Sequence, residues 1–339
     1  MKKGHPLAWL IPLILLLILI PFIVPSALMD AGAEEYDLPE YLPVELANQD
    51  PGTVPAEEIS WVRKATRQRV LYGPHRNGFI ANEEGKNRGY LDGTISVKID
   101  ERLIRGNKVF FTWIQIADPS QLRTQFTDPY PSTTENNGDR IANRERSVLA
   151  INGDSCTGIR SGVVYRNETE YRTVSAGDFD QLVIDKNGDF HILLQPSAED
   201  VTAYEGNILH SFVFGPGLVV DGVLQDLHAR KNFGSGVKPG IKAQRQVLCQ
   251  MEPLSYLIIT TEGPEQAKDG GFTLYELADI AYQVGAVNAY NLDGGCTTWL
   301  ILGTERVNNL RGNSLRGIMD MIYFVTAEPD PDPEPAEQP

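Results

Sequence analysis

Two short segments of this chain place reactive groups at the exits of apolar strands. The first is Asn288-Ala-Tyr-Asn-Leu-Asp-Gly-Gly-Cys-Thr-Thr-Trp299. A short apolar strand runs into Asp293, followed by Gly294 and Gly295 and then the hydroxyls of Thr297 and Thr298. Paired glycines let a backbone approach a ligand closely and turn successive amides toward an anion. Asp293 has the chemistry of a base, a nucleophile or a metal ligand, and the threonines that of groups orienting phosphate or sugar oxygens. An ordinary hairpin turn fits the same pattern. The second segment is Ala150-Ile-Asn-Gly-Asp-Ser-Cys156, in which the strand Val148–Ile151 delivers Asn152, Gly153 and Asp154 at its end. Sites in sheet proteins gather at such exits, although an Asx-type turn reads the same way.

The elements that must position these groups are mostly strands. Ile95–Asp100 alternates as Ile-Ser-Val-Lys-Ile-Asp, and Val109–Ala117 is a longer, more apolar run. Asp92-Gly93, Asn187-Gly188 and Asp221-Gly222 suit tight hairpin turns with positive φ. Asp185-Lys-Asn-Gly-Asp-Phe190 begins like a calcium loop, but Phe190 stands at the sixth position where the glycine belongs, so a hairpin is expected. The clearest helix opens at Thr273 with Glu276 three residues on, a capping box. Leu274, Leu277, Ala278, Ala281 and Tyr282 form its apolar stripe and Gly285 its stop. A shorter helix is expected from Ser197. Many strands with scattered helices predict an α+β domain, a strand-rich single unit around a twisted mixed sheet with few helices.

The flanks differ in character. Of 339 residues, the 24 from Pro6 to Met29 carry no charge, with Lys2 and Lys3 before them and Asp30, Glu34 and Glu35 after. That length spans a bilayer, and the positive end stays inside, so residues 1–30 read as one transmembrane anchor with the domain extracytoplasmic. Ala31-Gly32-Ala33 also fits a signal cleavage site, which would make the protein secreted. Residues 31–60 read as an acidic, proline-containing stalk, with nine acidic side chains and no Lys or Arg between residues 30 and 60. The domain proper is 61–325. From 326 to 339 a tail alternating acid with proline reads as disordered.

Most of the net charge of −15 therefore belongs to the flanks, because residues 61–325 hold 31 acidic against 28 basic side chains. A nucleic-acid binder needs a broad basic surface, so that partner is excluded. Three cysteines, Cys156, Cys249 and Cys296, form no zinc spacing and no disulfide scaffold. If the two reactive segments line one pocket, Cys156 and Cys296 are neighbours there and a bond between them is conceivable. A thiol nucleophile at Cys296 working with His191, His210 or His228 is a further arrangement the sequence permits.

The motifs together resemble a known family. Asn291-Leu-Asp-Gly-Gly-Cys-Thr-Thr298 is similar to the Asn-Leu-Asp-Gly-Gly-Gly-Ser-Ser signature of the phosphodiester glycosidase family, the N-acetylglucosamine-1-phosphodiester alpha-N-acetylglucosaminidase-like domain. Ala150-Ile-Asn-Gly-Asp154, Gly162-Val-Val-Tyr-Arg-Asn167, Phe214-Gly-Pro-Gly-Leu-Val-Val-Asp-Gly222 and Gly271-Phe-Thr-Leu-Tyr-Glu-Leu-Ala278 resemble four more of its blocks, in the family's order. Arg245 fits the arginine opening the strand after the Gly-Pro block. Asn308 and Arg316 fall where the family has the Asn and Arg of its closing strands. The resemblance runs over about residues 90–325. Cys296 departs from it, placing a side chain where the family has a third glycine.

What the resemblance implies is an extracytoplasmic hydrolase of a sugar-1-phosphodiester bond in surface or secreted glycopolymers. Such cleavage passes through an oxocarbenium-like state that a carboxylate stabilises. Asp293 and Asp154 are then the catalytic carboxylates and Arg245 and Arg316 the phosphate holders. Asn152, Gly153, Gly294, Gly295, Thr297 and Thr298 complete the substrate-binding set. No cofactor is required by this chemistry, and a divalent metal stays open, as does the oligomeric state. The implied partners are a glycan or sugar-phosphate polymer and, through the anchor, the membrane. The alternative is a non-catalytic module that binds phosphorylated glycans, and a structural surface protein is a third reading.

Overall fold

The computed structural model describes residues 36–40, 71–262, 270–309 and 316–331. The expected anchor and nearly all of the stalk lie outside the described residues, and no described helix is long and apolar enough to cross a membrane. The chain divides into two units, Met1–Tyr36 and Asp37–Pro339, and the second holds every strand and helix among the described residues.

Strands β1 (Phe79–Ala81), β2 (Asn87–Leu91), β3 (Ile95–Ile104) and β4 (Asn107–Ile116) form an antiparallel meander. The alternation predicted for Ile95–Asp100 is partly realised: Ile95, Val97 and Ile99 are buried and Lys98 is exposed. After β5 (Leu122–Phe126) comes helix α1 (Gly138–Arg144), capped by the Asn137 side chain, which accepts from the Arg140 N–H. Then follow β6 (Leu149–Asn152), β7 (Val164–Arg166), β8 (Thr169–Arg172), β9 (Asp180–Asp185) and β10 (Phe190–Leu193). The Asp185–Phe190 segment is the expected hairpin, with Gly188 at φ +86°. Helix α2 (Ala198–Thr202) starts at the Ser197 capping box. It leads to β11 (Ile208–Phe214), β12 (Gly217–Val220), β13 (Val223–Leu224), β14 (Gln246–Glu252) and β15 (Ser255–Thr261). Asp221 and Gly222 both take positive φ between β12 and β13, as their turn requires.

Helix α3 (Leu274–Gln283) forms as its signals predict: Thr273 and Glu276 make the reciprocal capping bonds, and Gly285 follows at φ +89°. Its buried stripe is Leu274, Leu277, Ala278, Ile280 and Ala281, whereas Tyr282 is 43% exposed. The stripe tilts toward Ile280 because α3 packs across β12, β13 and β16 (Asn288–Asn291). The chain closes with β17 (Leu300–Leu302), β18 (Glu305–Arg306) and β19 (Asp320–Phe324).

Every strand pairing among the described residues is antiparallel, so in place of one mixed sheet there are four antiparallel ones in an α+β arrangement. The largest runs β1-β2-β3-β4-β15-β14-β16-β12-β13; the others are β18-β17-β6-β19-β5, β10-β9-β11 and β7-β8. One apolar cluster joins the three larger sheets, drawing Ile114, Tyr256, Leu248 and Tyr290 from the first, Leu149, Ile151, Leu300 and Ile322 from the second, and Leu182, Phe190 and Phe212 from the third. Each large side chain buried there contributes on the order of 1.5–3 kcal/mol. The start of the acidic tail is ordered rather than loose. Glu328 accepts from the Gly93 N–H (2.7 Å) and Asp330 from the Arg76 N–H (2.9 Å), which ties the tail to the β2–β3 turn and to the segment before β1.

Candidate active site

Three strand ends converge. β6 ends at Asn152, β16 runs out through Leu292 to Asp293, and β19, which lies between β6 and β5, begins at Asp320. The two reactive segments of the sequence, some 140 residues apart, meet here. Asn152 is the clamp between them: its Nδ2 donates to the Asp293 carbonyl (2.8 Å) and its Oδ1 accepts from the Trp299 N–H (3.1 Å). Ser155 adds a second bridge, its hydroxyl donating to Asp293 Oδ2 at 2.6 Å. Ser155 sits at φ +56°, a left-handed conformation that few non-glycine residues adopt without a reason. The reason is its N–H, which donates to Asp320 Oδ1 at 2.8 Å. Gly153 beside it donates its N–H to the Asp320 carbonyl, and a Cβ there would lie 2.2 Å from Asp320 Oδ2. Only glycine allows this approach.

Asp293 is partly open to solvent, while both its oxygens are held, Oδ2 by Ser155 and Oδ1 by the Gly294 N–H (2.8 Å). Its carboxyl titrates above the ordinary aspartate range because burial disfavours the anion; bonds from Ser155 and Gly294 and the charge of Arg316 offset part of that. Gly294 and Gly295 press against residue 244. A Cβ on Gly294 would be 2.8 Å from the Gln244 carbonyl, and Gly295, at φ +68°, donates its N–H to the same oxygen (2.8 Å). Cys296, standing where the family pattern has glycine, keeps φ outside the left-handed region, so its side chain is accommodated without backbone strain. The Thr297 hydroxyl donates to the Gly294 carbonyl (2.6 Å). The Thr298 hydroxyl is buried with no hydrogen-bond partner, and Asn308 fixes that strand by donating to the Thr298 carbonyl and accepting from the Leu300 N–H.

Asp154 lies beneath this surface. It is fully buried, and its oxygens accept from Arg166 Nη2 (2.7 Å), the Cys156 N–H (3.1 Å) and the Val213 N–H (2.6 Å). The same Arg166 nitrogen donates to Asp320 Oδ2 (3.1 Å), and the guanidinium carbon stands 4.5 Å from the centroid of the Phe212 ring. One buried guanidinium thus faces two buried carboxylates. Asp320 resolves the imbalance by keeping its proton far above the usual carboxylate range, driven first by burial and then by the nearby Asp154, against the pull of Arg166.

That retained proton makes stability depend on pH. An unfolded aspartate releases its proton near pH 4, whereas folded Asp320 holds it well above that. The folded state therefore binds more protons across this interval, and the stability drawn from Asp320 falls as pH rises through it. Urea midpoints at pH 5 and pH 8 are expected to drop more for the wild type than for Asp320→Asn. Equal drops would show that the proton is not held.

Asp154, Cys156 and Asp320 can each bring one ligand atom within 4.8 Å of the others, and among the described residues this is the group able to hold a metal. Arg166 already places its positive charge among them, and burial pushes the Cys156 thiol away from the thiolate a metal binds.

The two arginines stand differently. Arg245 is buried and donates to the carbonyls of Phe272 (3.3 Å), Lys238 (3.0 Å) and Ile241 (2.6 Å), so it braces the 238–245 loop behind Gly294. Burial lowers it to about 10. Arg316 is at the rim: half exposed, it forks onto Glu135 Oε1 (2.9 and 2.7 Å), and its backbone carbonyl accepts from Trp299 Nε1 (3.2 Å). All three cysteines are free. The histidines have other roles. His210 bridges the Asn167 N–H and the Leu122 carbonyl, His191 pairs with Asp185, and His228 stacks on Tyr275.

Sequence reasoning missed Ser155, Arg166 and Asp320. A charged residue at the very end of an apolar strand, as Arg166 and Asp320 both are, was the available signal, because a buried charge needs a partner. Ser155 had no signal beyond its place next to Asp154.

The sequence model of the phosphodiester glycosidase family matches residues 145–325, over half the chain. The zebrafish N-acetylglucosamine-1-phosphodiester alpha-N-acetylglucosaminidase catalytic domain, auto-inhibited by its pro-peptide, superposes with a TM-score of 0.55 at 16% identity, covering 78% of this chain and 92% of that one. At that identity the likeness is one of fold. The SPbeta prophage-derived uncharacterized protein YomE of Bacillus subtilis (strain 168) is 23% identical over 200 residues, 57% of this chain; the match spans 30% of that relative's length.

Proposed function

Because this chain belongs to the phosphodiester glycosidase family, we propose that it is a hydrolase cleaving a sugar-1-phosphodiester bond, of the N-acetylglucosamine-1-phosphodiester kind, in surface or secreted glycopolymers. The observation that carries this reading is Asp293: a half-buried carboxylate at the junction of the two family blocks, held by Ser155 and Gly294 and clamped through its backbone by Asn152. A carboxylate fixed in this way can face an anomeric carbon and stabilise the oxocarbenium-like state, by attack or by activating water. The bond that breaks joins C1 to the phosphate oxygen. The leaving phosphate monoester is a weak base, so no strong general acid is needed on that side. Arg316, half exposed and paired with a single carboxylate, can exchange Glu135 for the phosphate, a match its planar fork favours. Asp154 and Arg245 then act as positioning residues, one under Ser155 and one behind Gly294. Thr297 fixes the Gly294 carbonyl, and Thr298 is buried behind it, held through its own carbonyl by Asn308.

The same reading puts the domain outside the cytoplasm, carried by the uncharged run of residues 6–29. Membrane and soluble fractions of cells expressing the full chain are the material for the test. Release of sugar from a synthetic sugar-1-phosphodiester is expected in the membrane fraction, with and without chelator. Failure to release sugar from such diesters would overturn the enzymatic reading, and activity confined to the soluble fraction would overturn the anchor.

A further inference from the structure

Three aromatic rings meet beside the loop that carries Ser155. Phe126 at the end of β5, Tyr130 four residues on and Tyr171 in β8 have ring centroids 5.0–5.2 Å apart in all three pairs. No pair is face to face: the interplanar angles are 44°, 79° and 58°. The rings meet at angles rather than as a closed stack. Phe126 is buried, Tyr130 half-buried, and Tyr171 is 40% exposed. Neither tyrosine hydroxyl has a hydrogen-bond partner among the described residues.

This cluster is fixed to the site from two sides. Arg172, next to Tyr171, donates to the carbonyls of Cys156 (2.9 Å), Ile159 (2.7 Å) and Gly162 (3.0 Å), which ties β8 to the loop leaving Ser155. The Phe126 ring lies 5.7 Å from the guanidinium carbon of Arg166, the group that holds Asp154 and Asp320. Thr127, immediately after Phe126, bonds the carbonyls of Ile318 and Met319, just before Asp320. Tyr130 packs on the apolar cluster that holds Phe126 and Cys156, the residue following Ser155.

A pyranose has an apolar face of C–H groups and a rim of hydroxyls. An exposed tyrosine offers the matching pair, an aromatic face and a free phenol. We propose that Tyr130 and Tyr171, backed by Phe126, form a stacking subsite for a sugar unit adjoining the scissile linkage, so that the substrate is a polymer rather than a single glycosyl phosphate. This rests on the hydrolytic reading above and adds the chain length that the site prefers.

The test compares two probes on the full chain: a one-sugar N-acetylglucosamine-1-phosphate methyl diester, and a short oligomer of sugars joined through 1-phosphodiesters. Wild type is expected to favour the oligomer. The Tyr130→Ala/Tyr171→Ala double variant is expected to lose about three- to tenfold in kcat/KM on the oligomer alone, through KM, with the one-sugar probe unchanged. Tyr171→Phe, which keeps the ring, restores most of the loss. Equal kcat/KM for both probes in wild type, or an equal loss on both in the double variant, overturns the subsite. If neither probe is hydrolysed, oligomer binding measured by calorimetry decides separately. Weaker binding by the double variant supports the subsite while the hydrolytic reading fails, and unchanged binding overturns the subsite.

Discussion

Asp293→Asn is expected to lower turnover of a sugar-1-phosphodiester by at least about a thousandfold, about 4 kcal/mol in the barrier, while leaving the melting temperature nearly unchanged. The amide keeps the shape of the carboxylate. Its oxygen can still accept from the Gly294 N–H, and the Ser155 hydroxyl can reverse its role to accept from the new NH₂ group. Removing the charge also costs the fold little, since burial already disfavours the Asp293 anion. What the variant lacks is the negative charge that an oxocarbenium-like centre needs. Kinetics on the synthetic diester and a melting curve on the same preparation separate the two effects. A variant with near-normal activity sinks the assignment of Asp293, and a large loss of melting temperature would make it a structural residue instead.

Arg166→Met should have the largest effect on stability, a loss of roughly 3–5 kcal/mol. The guanidinium is 2% exposed and donates to Asp154, Asp320, the Tyr165 carbonyl and the Ser211 carbonyl. Taking it away leaves the buried Asp154 carboxylate without its cation, beside an Asp320 that keeps its proton, an arrangement far more costly than replacing the whole cluster. Chemical denaturation should therefore show a severe loss for the single variant. Part of it should return when Asp154→Asn and Asp320→Asn are added, because no buried charge is then left unpaired. A single variant as stable as wild type would mean that Arg166 is not the counter-charge of the pair.

Much of this was readable from the residues. The capping box at Thr273, the Gly285 stop, the Asp221-Gly222 turn and the Asn187-Gly188 hairpin depend on local chemistry, and the structure realises each of them. The convergence of Asn152 and Asp293 also followed from strand exits and family blocks. The rest depended on tertiary context. Helix α1 was not legible because Gly-Asp-Arg-Ile-Ala-Asn-Arg offers only Ile141 and Ala142 as an apolar face, and it is the pocket around Trp299 that recruits them. Burial of Asp154 and the backbone-facing fork of Arg245 are equally invisible in one dimension, since a carboxylate or guanidinium beside a motif looks the same whether it faces ligand or carbonyl. Asp320 could be placed only once β19 was known to lie between β6 and β5.

That position of β19 also sets an order in time. The loop 153–155 rests on Asp320, and β6 is complete on its second edge only when residues 321–324 pair with it. A ribosome delivers β6 long before β19, and for that interval the nascent chain carries the Asn152–Ser155 loop with no floor and no Asp293 to clamp. Contacts spanning some 140–166 residues form late, after the loop-closure entropy has been met. A chain released early, even by a handful of residues before 320, would hold every residue of both reactive segments and still have no assembled site.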